Sequence, residues 1–176
     1  MGTNRNLTDA ALGFQALIDV LRSASMNYNM AAKGCVSGQN SLVDPALSTA
    51  GSFVVGGVFA TAAASSSAFA LEDTLVPAYN AVNFVLCLNA AGSGIGYATN
   101  VMTSAQVSAA GGTPAAVLAA SAITWPTIPI TMTPVGIYTV IAGAVSHVSG
   151  SSSFSLVTSA GGSHLFTDIA SYNRNV

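Results

Sequence analysis

The chain has 176 residues, of which 51% are hydrophobic and only 6% charged, with a formal net charge of -2. Soluble domains average about 25% charged residues, and no Lys/Arg cluster is present to bind nucleic acid. So little charge gives an isolated monomer poor colloidal stability and favours a surface largely covered by partners.

The length suits one domain with an appendage. Residues 50–71 form an uncharged run long enough to span a bilayer. Gly, Ser, Thr and Ala dominate it and no Lys/Arg flank marks an inside face, so no membrane span is expected. MGTNRNLTDAALGF lacks a continuous apolar core after its Arg and does not read as a signal peptide. Cys35 and Cys87 have neither CxxC spacing nor a histidine companion, and read as small buried residues.

The first predicted element is an amphipathic helix over residues 8–25. Leu7, Ala11, Phe14, Ile18 and Leu21 recur at spacings of three and four and form one apolar stripe. Thr8 suits the N-cap, Asp9 the positive end of the helix dipole and Arg22 the other end. A short helix cannot bury such a stripe alone, so it must dock on something. Leu7, Phe14, Ile18, Leu21 and Arg22 are therefore the expected anchoring residues. Residues 1–50 are expected to form this helix and an arm, and residues 51–176 a β-rich domain.

Ser52–Phe59 predicts a strand with a bulge or close backbone approach at its Gly pair. Ala68–Leu71 and Ala81–Asn89 predict further strands. Phe84, Leu86 and Leu88 alternate with Val85, Cys87 and Asn89, so the latter strand is apolar on both faces for most of its length. Asn89-Ala-Ala-Gly-Ser-Gly supplies turn chemistry before a return strand over Ile95–Thr99. Residues 104–122 fit either a short helix opening at Thr113-Pro114 or an extended linker. Trp125 to Pro129 predicts an extended connector. Pro134–Ala142 and Phe154–Thr158 complete the predicted strands. Many short strands between turn signals indicate a mainly β fold: an antiparallel β-sandwich or small barrel, jelly-roll-like, behind the N-terminal helix or arm.

Sites of chemistry are sparse. Ser146-His147 and His164 with Asp168 suggest a Ser/His/Asp arrangement, but serine is abundant and the spacing is not specific. Gly92-Ser93-Gly94-Ile95-Gly96 lacks the Lys-Ser/Thr of a phosphate loop and reads as a hairpin turn. Glu72-Asp73 reads as a solvated turn, because neighbours in extended chain point to opposite faces. Trp125, Tyr138 and Tyr97 read as core or interface residues before a sugar-stacking platform. Asn6-Leu7-Thr8 matches a glycosylation sequon without a secretory context. No catalytic, cofactor or metal residue is expected.

VPAYNAVNFVLCLNAAGSGIGYATN, an Ala/Gly-rich connector and ITWPTIPITMTPVGIYTVIAG together resemble a module of tailed-bacteriophage virion structural proteins, of the capsid decoration (cement) or head-fibre type. The resemblance covers roughly residues 75–145. Asn89 stands where that turn often has Asp, and Thr131-Met132-Thr133 replaces a Lys-bearing stretch. The resemblance implies a non-enzymatic virion protein on the capsid exterior, synthesised in the bacterial cytoplasm. Its implied partners are the major capsid protein and sister subunits in a homotrimer. A head-fibre or tail-associated protein touching the host is the first alternative. A small hydrolase using His147 or His164 and a membrane-associated protein are more remote ones.

Overall fold

The computed structural model describes residues 28–29, 36–37, 44–47, 50–64 and 69–168. The predicted N-terminal helix, with Leu7, Phe14, Ile18, Leu21 and Arg22, lies outside these residues, as does Cys35. Strand outweighs helix, 42% against 14%, so the fold is mainly β.

The longest strands form the centre. β8 (Ala81–Asn89) and β10 (Met132–Ile141) pair antiparallel along their lengths. Their Val, Ile, Leu, Phe and Tyr content suits a pleated surface covered on both sides. β12 (Ser163–Asp168) flanks β10, and β9 (Gly94–Ala98) and β6 (Phe69–Leu71) extend the other side, in the order β12-β10-β8-β9-β6. Pro134 is accommodated in β10 by a register shift between Pro134 and Gly136, which leaves Val135 as the extra residue. A bulge is where a strand tolerates a residue with no N–H.

A second sheet has the order β1-β4-β5, from β1 (Tyr28–Asn29), β4 (Gly51–Val55) and β5 (Val58–Ala62). Two short ladders complete the pairing. β2 (Val36–Ser37) joins β3 (Ala46–Leu47), and β7 (Leu75–Val76) joins β11 (His147–Val148).

Alternation along β8 explains where the cores lie. Val82, Phe84, Leu86 and Leu88 enter a core shared with Phe53, Val55, Ala60 and Ala62 of the second sheet. On the opposite face, Ala81 packs with Met102, Val107, Val117 and Ile141, while Val85 and Cys87 pack with Ile128 and Met132. Val107 and Val117 come from two short helices, α1 (Ser104–Ala110) and α2 (Pro114–Leu118). Each such side chain, fully buried, contributes about 1.5–3 kcal/mol. The double-faced apolar strand is thus covered within the chain and needs no partner for its own burial.

Several expectations are corrected. The five-stranded sheet does not close, because β12 and β6 are separate edges rather than neighbours, so the small barrel is excluded. The sheet is not wholly antiparallel either: β6 runs parallel to β9. The strand predicted over Ser52–Phe59 is a hairpin. Gly56 (φ 56°) and Gly57 (φ 79°) form its two-residue loop, and two consecutive positive φ values reverse the chain instead of bulging it. Phe154–Thr158 is not a strand but lies in α3 (Phe154–Ser159). An apolar run that short has no diagnostic period, and Val157 reaches the main core from a helical turn. β12 went unpredicted. The helix opening at Thr113-Pro114 is observed, and α1 precedes it behind a Thr103/Gln106 capping box.

Candidate functional site

The two histidines are brought towards one another by long-range pairing. β11 places His147 opposite Val76, and β12 places His164 opposite Val140. His147 is 1% exposed, and neither of its ring nitrogens has a hydrogen-bond partner. Burial pushes its pKa below the ordinary imidazole value, and the neighbouring His164 adds to the effect. Burial also lowers the pKa of His164. The His164 ring lies 5.9 Å from that of Tyr138, which itself stacks on Phe166 at 4.2 Å. Burial pushes the Tyr138 phenol well up. This is an apolar, aromatic setting that favours the neutral imidazole at both positions.

That setting does not assemble the catalytic groups considered from sequence. Ser146 is exposed while His147 is buried, since neighbours in extended chain point to opposite faces and only one of these faces is covered here. His164 and Asp168 occupy β12 positions opposite Val140 and Gly136, about 13 Å apart along the strand. Ser149 is fully buried and its hydroxyl has no partner. Among the described residues, no group of three His, Cys, Asp or Glu side chains could hold a metal ion.

The glycine-rich stretch is a turn with a packing role. Asn89 Oδ1 accepts from the N–H groups of Ala91 (2.9 Å) and Ser93 (3.0 Å), the task an Asp would perform there. Gly94 and Gly96 then lie directly across from Phe69 and Leu71 of β6. A Cβ on Gly94 would sit 2.5 Å from Phe69 Cδ1, so the missing side chains make room for the larger pair.

Glu72 serves the backbone. Glu72 Oε2 accepts from Ala98 N at 2.8 Å, and the Asp73 carboxylate lies against Gly150. Tyr97, Tyr138 and Trp125 form no common platform. Tyr138 lies between the two sheets, Tyr97 packs on the opposite face with Val85 and Ile128, and Trp125 is 47% exposed on the connector. Cys87 is buried, and its thiol donates to Val85 O at 3.7 Å. Between α1 and α2 lies an open groove of about 520 Å³, lined by Met102, Gln106, Ser121 and alanines and by no titratable group.

What the surface offers instead is apolar. Phe59 and Tyr79 are each 60% exposed and Ile130 is 71% exposed. Tyr79 is held at φ 64°, a left-handed conformation for a non-glycine residue, by an N–H shared between Ala142 O (3.1 Å) and Gly143 O (3.0 Å).

The sheet edges differ in kind. At β6, Phe69 N donates to Pro45 O (2.7 Å) and Leu71 N to Asp44 Oδ1 (3.2 Å), so that edge is capped. β2 lies against β12. On β5, Val58, Ala60 and Ala62 bond towards β4, which leaves the N–H and C=O of Phe59 and Thr61 pointing outward. Neither residue forms a backbone bond on that side among the described residues. Sequence reading missed this edge because it took the Gly pair for a bulge inside one strand.

No protein family, curated protein or solved structure matches the chain. Among the described residues, no helix is long and apolar enough to cross a membrane.

Proposed function

We propose that this chain is a non-enzymatic structural protein of a phage virion, most plainly a capsid decoration or cement protein on the head exterior. The observation that carries the reading is an apolar, nearly uncharged surface. Phe59, Tyr79, Trp125 and Ile130 stand in solvent, and no Asp, Glu, Lys or Arg occurs from Thr74 to Thr167. A surface with so little charge favours coverage by neighbours. The resemblance of residues 75–145 to virion proteins supplies the setting.

In this reading the major capsid protein is the partner and the chain acts as a homotrimer. The stripe of Leu7, Phe14, Ile18 and Leu21, with Arg22, anchors it to the lattice or to a sister subunit. The finer architecture is a jelly-roll-like sandwich with the three-stranded sheet as its second leaf, supported by the single core that both sheets share. Protein mass spectrometry of purified particles, with emptied heads separated from tails, tests the assignment. High copy number on heads supports it; presence on tails alone, or absence from particles, overturns it.

A further inference from the structure

We propose that the open edge of β5 is a self-association site, at which β5 of one copy pairs antiparallel with β5 of a second copy across a twofold axis through Phe59. This rests on the edge itself and not on the virion setting. Three features carry it.

First, the edge has unspent backbone valence. The Phe59 N–H and C=O point away from β4 and bond to nothing among the described residues. A twofold axis at this residue lets the two copies exchange both bonds, since each supplies the donor that the other's acceptor needs. At the far end of the strand, the β8–β9 turn brings Gly92 against the Thr61 carbonyl. The accessible length is therefore Val58 to Ala60, centred on Phe59.

Second, the accessible part of the strand carries no charge, proline or bulge to keep edges apart. β5 reads VFATA, with no Lys, no Pro and no bulge. No charged residue occurs between Asp44 and Glu72, so two copies meet without like-charge repulsion. The β6 edge, by contrast, is closed by Asp44 and Pro45 of the same chain.

Third, the side chains on the strand match themselves. Val58 and Phe59 are 59% and 60% exposed. The twofold axis sets Phe59 opposite Phe59 of the second copy and Val58 opposite its Ala60, so apolar groups meet in each pair. An isologous contact of this kind closes on itself as a dimer. Within a threefold assembly it joins one trimer to the next.

The test is sedimentation velocity of the full chain over a range of concentrations, with hydrogen exchange followed at the Phe59 amide. The expected result is a concentration-dependent rise in mass accompanied by increasing protection of that amide. Phe59→Lys should abolish the mass increase, and Val145→Lys, which places a charge at another exposed apolar position (51%), should leave it intact. Both variants should melt like the parent, because neither side chain is in the core. A parent chain that stays monomeric at all concentrations overturns the proposal. So does an oligomer whose mass survives Phe59→Lys, or whose Phe59 amide stays unprotected. Because particle attachment is measured separately, failure here is distinguishable from failure of the virion reading.

Discussion

Replacing Gly96 by Ala tests the packing argument for the glycine-rich return strand. Gly96 lies opposite Leu71 in the parallel β6–β9 pair. A Cβ there would sit 3.2 Å from Leu86 Cδ2 and 3.6 Å from Phe84 Cβ, and would overlap Leu71 Cδ2. Leu86 and Leu71 are both buried, so neither can swing into solvent to relieve the crowding. Overpacking of this kind costs about 1–3 kcal/mol. The lower chain entropy of unfolded Ala offsets about 0.4–1 kcal/mol of it. The net expectation is a loss of about 1–2 kcal/mol in equilibrium urea unfolding. Leu71→Ala alone should cost about 2–5 kcal/mol through its cavity. In the Leu71→Ala background the overlapping methyl is gone, so adding Gly96→Ala should be neutral or stabilising by up to about 1 kcal/mol. The two changes must therefore couple. Additivity within about 0.5 kcal/mol, the behaviour of independent sites, would refute the idea that Gly96 exists to admit Leu71.

Two further outcomes are expected. His147 and His164 have pKa values depressed by burial, so the folded chain binds fewer protons than the unfolded chain below the unfolded imidazole value of about 6.5. Stability should be complete above that pH and fall as pH drops from there through the folded values. The slope is at most about 1.4 kcal/mol per pH unit for each histidine. Thermal melts across this window should show His147→Leu losing about one proton's share of the slope; an unchanged slope would remove His147 from the account. At the β8–β9 turn, Asn89→Ala deletes the acceptor of two hydrogen bonds and should cost about 1–2 kcal/mol. Asn89→Asp keeps both bonds and should melt close to the parent, whereas equal losses in the two variants would argue against the turn bonds.

Legibility followed local chemistry. β8 was readable residue for residue over Ala81–Asn89, because nine residues rich in Val, Leu and Phe end at an Asn that caps its own turn. The Thr-Pro start made a helix at Pro114 one of two readings, and the structure decided for the helix over an extended linker. The capping box at Thr103 was equally local, yet the Ala and Gly after it diluted the helical signal. Phe154–Thr158 failed for lack of length: five apolar and polar residues fit either period, and the outcome rested on where Val157 met the core. The Gly56-Gly57 pair signalled an irregularity, but its two positive φ values, and hence the hairpin, came from the pairing of β4 with β5.

The sequence alone determined that the centre of this chain is strand-forming and almost without charge, and that it holds few groups fit for catalysis. Only the tertiary structure decided what the missing charge means at each place. Along β8 it reflects burial on both faces by the same chain. In β9, Gly94 and Gly96 are small because Phe69 and Leu71, more than twenty residues earlier, pair beside them. At β5, the same lack of charge lies on an edge that no other strand covers among the described residues. The reason is physical: alternation along a strand says which residues share a face, but which face is covered depends on contacts between segments distant in sequence. Residues 84–88 therefore belong to the core, while Phe59 stands exposed at the edge of the second sheet.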